Sequence, residues 1–135
     1  IFTMSCINGK YQLDSHDNFE KYLSALGVPA DKAAEMGKAK TVVEITQEGK
    51  QMTMFYPANS QRPEVKNVLT LGQETELTSA MGKHTVNLNQ DGNTFKGVIK
   101  AAGKTMTSSF TFSESGFIDM ITLGDVTATR RYKRI

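Results

Sequence analysis

After Lys40 the side-chain pattern changes period, and that change limits the possible folds more than any other feature of the chain. Before it, apolar residues recur every three or four positions; after it, they alternate. A period of two belongs to strands, whose successive side chains point to opposite faces. Gly49, Gly72, Gly82, Gly92, Gly103, Gly116 and Gly124 punctuate the alternation, several in turn dipeptides such as Asp91-Gly92 and Ser115-Gly116. The pattern predicts strands near 41–48, 50–56, 64–71, 74–79, 83–89, 93–100, 104–112, 117–122 and 125–133. Residues 7–13 supply another. The class is mainly β. Ten strands in up-and-down order have edges to hide, which favours a closed antiparallel barrel; a two-sheet sandwich is the alternative.

Two helices are expected between the first strand and the rest. Asp17 is placed to cap the first, with Glu20 completing a capping box. Phe19, Tyr22, Leu23 and Leu26 follow at helical spacing, and Gly27 ends the run. Pro29 suits a first helical turn, and Ala30 to Met36 forms a second helix closed by Gly37. Ala33, Ala34 and Met36 offer little apolar area, so this helix should pack loosely, as part of a lid.

With 135 residues, 39% of them hydrophobic, the chain suits one domain over 1–135 with one core. Ile1 to Thr3 are read as additions before a natural start at Met4. A net charge of +2 is too small to imply nucleic acid. No segment has the length and apolarity of a membrane-spanning helix, and the N-terminal stretch lacks the pattern of a signal peptide. A single cysteine, Cys6, cannot form an internal disulfide, and no Asn-x-Ser/Thr site occurs. These features fit the cytosol. The seven methionines suit an adaptable apolar surface as well as core filling.

Alternation assigns faces within each strand. Met106, Ser108, Phe110 and Phe112 share one face of theirs, while Thr105, Thr107, Ser109 and Thr111 make a polar opposite face. Met52, Met54 and Tyr56 align likewise, as do Phe117, Asp119 and Ile121. In the last strand Val126, Ala128, Arg130 and Tyr132 share the inward face, against Thr127, Thr129, Arg131 and Lys133. Inner faces that mix apolar bulk with a few polar groups suit a partly wet cavity better than a dry core. A one-residue slip would reverse every assignment. An inward Arg is costly unless an anion or acceptor meets it, so Arg130 is either satisfied structurally or reserved for a ligand.

Catalytic and metal signatures are missing. Ser15-His16-Asp17 contains triad residue types, but adjacent residues cannot form the relay geometry, and a helix cap explains them. His84 has no second His or Cys at ligand spacing. No phosphate loop or Gly-x-Gly-x-x-Gly run is present. No metal, cofactor or catalytic residue is therefore expected. An isomerase would need a base in the cavity, and only Asp119 offers one.

The segment from Gly9 to Leu26 resembles the N-terminal signature of the intracellular lipid-binding proteins, the fatty-acid-binding and cellular retinoid-binding proteins. Gly9, Tyr11 and Leu13 carry it, followed by Asn18-Phe19-Glu20, Tyr22-Leu23 and Leu26. Leu71-Gly72 and Gly124-Asp125-Val126 recur at the family's usual places, and Arg130-Arg131-Tyr132 resembles its Arg-x-Tyr carboxylate clamp. The resemblance extends from Ile7 to the end. It implies a ten-stranded up-and-down clam-shaped barrel, a helix-turn-helix lid and an internal cavity for a hydrophobic ligand. Many members carry a second inward Arg on the eighth strand, where this chain has Phe110. Liver-type and ileal bile-acid-binding members also lack it, and Leu71-Gly72-Gln-Glu-Thr-Glu-Leu77 and the terminal Lys-Arg-Ile lean the same way. Liver-type members usually lack the clamp tyrosine, which is present here as Tyr132. Arg62 stands where heart-type members have a portal aromatic.

The resulting expectation is a monomeric cytoplasmic carrier of long-chain fatty acids, with retinoids, bile acids or other bulky hydrophobic acids as alternatives. Arg130 and Tyr132 would hold the carboxylate. Met52, Met54, Tyr56, Met106, Phe110, Phe112 and Ile121 would line the chain's path, with Tyr22 and Leu23 above it. Met36, Lys38 and Arg62 would sit at the portal. With Lys32 and Lys40, the basic groups there would steer the protein transiently to anionic membranes, unless they are ordinary solvated charge. Asp119 points inward beside Arg130. It would compete with an incoming carboxylate, favour a neutral or hydroxyl-bearing ligand, or stay solvated in a wet cavity.

Overall fold

The computed structural model describes residues 7–58, 63–79 and 82–135. Its elements run β1 (Gly9–Asp17), α1 (Phe19–Leu26), α2 (Ala30–Lys38), β2 (Val42–Glu48), β3 (Gln51–Tyr56), β4 (Val65–Thr70), β5 (Thr75–Ser79), β6 (Gly82–Asp91), β7 (Thr94–Ala101), β8 (Lys104–Ser113), β9 (Gly116–Leu123) and β10 (Val126–Arg134). The strands form one ten-stranded sheet in the order β4-β3-β2-β1-β10-β9-β8-β7-β6-β5. Sequential strands other than β4 and β5 pair antiparallel, and β1 also pairs with β10, with Leu13 opposite Tyr132. That pairing curls the meander into a nearly closed barrel and sets the sandwich aside.

The sheet's two free edges, β4 and β5, meet without a ladder. Here the side chain of Asn67 replaces backbone pairing. Its Nδ2 donates to the Thr78 carbonyl at 2.9 Å, and the Thr78 N–H donates to its Oδ1 at 3.3 Å. Buried in this way, the amide satisfies both its own polar atoms and two edge groups that would otherwise lack partners.

The alternation assigned the faces as the structure has them. Met52, Met54, Met106, Phe112, Ile121 and Tyr132 are buried. Tyr56 and Phe110 face inward too and pack half-buried against the core. Two apolar clusters lie on the barrel's inner face. One, around Tyr11, Phe95, Phe112 and Phe117, lies away from the helices; the other packs Phe19, Tyr22, Leu23 and Leu26 of α1 onto Met106, Ile121 and Ala128.

The entry into α1 departs from expectation. β1 starts at Gly9 and runs on to Asp17, four residues past the predicted end, with an irregularity between Leu13 and Ser15. Asp17 therefore caps nothing: its carboxylate accepts from Arg131 at 2.6 Å. Asn18 occupies the N-cap in the left-handed region, φ 60°, without a side-chain cap bond, so no capping box forms. Ser15 and His16 likewise belong to the strand. His16 Nε2 lies 2.5 Å from the Gly37 carbonyl, joining the end of β1 to α2. Gly37 does not close α2, which continues through Lys38. Its role is room: a Cβ there would come 3.0 Å from Glu20 Cγ, so the glycine lets the two helices approach. The expected end of α1 is present. Gly27, at φ 102°, terminates it, with the Val28 N–H donating to the Leu23 carbonyl at 2.9 Å. Only Ala33 of α2 is buried, which fits the small apolar area read from its sequence.

Candidate functional site

A tight turn sets the site. Gly124 and Asp125 connect β9 to β10, with Gly124 at φ 58°, a region open to glycine at little cost. The turn fixes the register, opposing Val126 to Leu123 and Arg130 to Asp119; on the other side of β9, Asp119 opposes Phe110. One row across β8, β9 and β10 therefore reads Phe110, Asp119, Arg130, all directed into the barrel.

Arg130 and Asp119 form an ion pair. Arg130 Nε donates to Asp119 Oδ2 at 2.8 Å, and Nη2 donates to the same oxygen. The Asp119 side chain is 3% exposed and that of Arg130 28%, so the carboxylate is sealed while the arginine side chain keeps part of its surface open. The guanidinium carbon also lies 5.0 Å from the Phe19 ring centre and 5.8 Å from that of Tyr132. Burial works against the Arg130 charge, but Asp119, Tyr132 and Tyr56 more than offset it and hold the group firmly protonated. Tyr22, above the pair on α1, has its phenol pKa raised, chiefly by burial; Arg130 lowers it and Asp119 raises it. Tyr22 is thus a neutral hydroxyl at ordinary pH.

Aromatic rings surround the polar row. Tyr132 stacks on Phe117 with centroids 4.4 Å apart and planes 10° apart. Phe110 stacks on the same ring at 6.1 Å, and Phe117 meets Tyr11 edge-on at 5.0 Å. Tyr56, Ile99 and Phe110 face inward yet are only partly buried. Together with Arg130 they offer accessible apolar and polar surface inside the sheet. Ser108 Oγ, two residues from Phe110 on the same face, is buried with no hydrogen-bond partner among the described residues. Two hollows found on the surface lie along β5 to β8, lined partly by Lys83, Lys100 and Lys104 and by Asn87 and Asn89, and contain none of these residues.

The structure brings together Arg130, Tyr132, Asp119, Phe110 and Tyr22. Met52, Met54, Met106, Phe112 and Ile121 lie in the surrounding core, as does Leu23 of α1. Met36 of α2 is half-buried against the helix-side cluster, while Lys32, Lys38 and Lys40 are exposed. Arg62 lies outside the described residues, as do Met4 and Cys6. Sequence reasoning overlooked Phe19, whose ring covers Arg130. Its spacing of three from Tyr22 was a usable signal, since such residues share one helix face. Asn67 was also missed, and nothing local marks it.

The chain matches known proteins along nearly its whole length. The profile of the lipocalin / cytosolic fatty-acid binding protein family matches residues 4–135. The liver fatty acid-binding protein of Mus musculus is 37% identical, over 95% of this chain and 98% of its own. Fatty acid-binding protein 1, liver, of Ambystoma mexicanum is 34% identical, over 94% and 98%. Among solved structures, the Schistosoma mansoni fatty acid binding protein in complex with arachidonic acid shares the fold, with TM-score 0.87 at 24% identity, over 98% of each chain. A helix-lidded ten-stranded barrel, an inward Arg-x-Tyr pair and these relatives agree: the chain belongs to the lipocalin / cytosolic fatty-acid binding protein family.

Proposed function

We propose that the protein is a carrier, not an enzyme, of long-chain fatty acids and related acyl lipids. The lipid tail lies in the barrel and its polar head, a carboxylate in the simplest case, at Arg130 and Tyr132. The observation that carries this reading is a guanidinium and a phenol placed together inside a mainly apolar barrel. The relatives, named as fatty acid-binding proteins, support it. Met52, Met54, Tyr56, Met106, Phe110, Phe112 and Ile121 give the tail an apolar path, with Tyr22 and Leu23 above. Burial of the tail contributes about 0.8 kcal/mol per methylene as an upper guide, whereas a charge-assisted hydrogen bond at the head contributes roughly 1.5–3 kcal/mol. The tail therefore supplies most of the affinity and the head sets orientation.

As a base, Asp119 is poorly suited to isomerase chemistry, because its carboxylate is already bonded to Arg130. We place the carrier in the cytoplasm, as a monomer. The exposed Lys32, Lys38 and Lys40 support brief contact with anionic membranes, visible as salt-sensitive transfer to vesicles. Native mass spectrometry of the protein as purified should show a bound acyl lipid. Arg130→Ala combined with Tyr132→Phe should weaken its retention about tenfold or more while leaving some tail-driven binding. Failure of the wild type to bind any eighteen-carbon acyl lipid would sink the reading.

A further inference from the structure

The ion pair bears on which head group the site accepts. We infer that Asp119 makes this an acyl-lipid site selective for uncharged hydrogen-bonding heads (hydroxyl, glyceryl ester or amide) over a free carboxylate on the same tail. The inference rests on the carrier reading and refines its ligand.

A guanidinium has five N–H donors in a fixed fork. Arg130 directs two of them, from Nε and Nη2, to Asp119 Oδ2. The charge of Arg130 is thereby matched before any ligand arrives, and the carboxylate that matches it is 3% exposed. The register enforces the match, since Arg130 and Asp119 are directly opposed in a continuous antiparallel ladder. A ligand carboxylate can follow two routes. It can take the remaining donors, which places two anions on one guanidinium in a poorly solvated site. Or it can displace Asp119, which strands a sealed carboxylate without its partner. Both are unfavourable. Among the described residues no second cation relieves the crowding: the eighth-strand position opposite Asp119 is Phe110, and the other titratable groups acting on the pair, Tyr22 of α1, Tyr56 of β3 and Tyr132 of β10, carry phenols.

An uncharged head meets no such conflict. Its carbonyl or hydroxyl oxygen accepts from the donors that Asp119 does not use. It brings no second anion to the guanidinium, so the Arg130–Asp119 pair stays intact. Ser108 adds to this preference. Its hydroxyl is buried without a partner among the described residues, and it opposes Ile121, two residues along β9 from Asp119 on the same face. A head with several hydroxyls, such as glycerol, can satisfy both positions.

The test compares eighteen-carbon monounsaturated ligands that differ only in the head: oleate, oleyl alcohol and 1-monooleoylglycerol, titrated calorimetrically at neutral pH into wild type and Asp119→Asn. The wild type should bind the two neutral lipids at least as tightly as oleate. Asp119→Asn keeps the side chain's size and removes its charge. It should shift the preference toward oleate by about tenfold or more, the worth of one charge-assisted contact, with monooleoylglycerol changed by less than about threefold. Wild type that prefers oleate as strongly as Asp119→Asn does would overturn the inference while leaving the carrier reading intact. Absence of binding by all three ligands would remove both. Should the variant not fold, the wild-type ranking decides alone: oleate bound more than about tenfold tighter than both neutral lipids refutes the proposal.

Discussion

The barrel has two contrasting junctions. Between β9 and β10, eight successive residue pairs are in register, from Val126 opposite Leu123 to Lys133 opposite Gly116. Between β4 and β5 there is no ladder; the Asn67 side chain bonds the backbone of Thr78, and nearer the turn the Thr70 N–H donates to Thr75 Oγ1. The polar pair that gives the interior its chemistry lies on the first junction. The difference shows how one fold fixes one polar row rigidly while leaving another junction free to open. Arg130 and Asp119 face each other because a continuous ladder allows no other register. The seam is held by a few side-chain bonds, so local opening there disrupts little else.

The largest predicted effect is at the ladder. Arg130→Met leaves the sealed Asp119 carboxylate without its partner, which should cost about 3 kcal/mol and lower Tm by roughly 10 °C. Adding Asp119→Leu should restore most of that loss, because an ion pair replaced as a whole by apolar groups is close to neutral. Thermal unfolding of both variants checks this. A double variant no more stable than the single one would mean that the pair supports the fold by packing rather than by charge compensation.

At the seam the effect should be smaller and local. Asn67→Ala removes two hydrogen bonds from an edge, about 1–2 kcal/mol in all. Hydrogen exchange at the Thr78 amide should accelerate while the amides of β9 and β10 keep their protection. Equal acceleration on both sides would erase the contrast between the junctions.

How much of this was legible in the sequence depends on the range of the cause. Period-two alternation placed Met52, Met54, Met106, Phe112, Ile121, Arg130 and Tyr132 on inner faces because a strand's parity is a local property. The opposition of Arg130 and Asp119 was nearly legible, since the Gly124-Asp125 turn sets it. The extension of β1 was not. Ser15 and Asp17 are exposed, and their strand state comes from pairing with β10, more than a hundred positions away. Their polarity, followed by Glu20, instead suggested a helix cap. Gly37 misled for a related reason: a glycine near a helix end usually marks its stop, but here it lies inside the helix and leaves room for the Glu20 side chain. Asn67 was invisible because its partner, Thr78, belongs to the far edge of the sheet.

The finest probe of the comparison is Tyr22. Burial raises its phenol pKa above the usual 10.0, Arg130 pulls it down and Asp119 pushes it up. Folding therefore favours the neutral phenol. Its contribution to stability is fully present below the ordinary tyrosine value and is lost as pH rises through the folded value. Phenolate absorbance, assigned to this residue by its loss in Tyr22→Phe, should appear above pH 10.0 in the native protein. Asp119→Asn should move that titration down and Arg130→Met should move it up, whereas Asn67→Ala should leave it in place. Opposite shifts from two residues of one pair would show that Tyr22 senses both charges. A shift caused by Asn67→Ala would show that the seam and the ladder are coupled, and that the rigidity assigned to β9 and β10 depends on the seam staying closed.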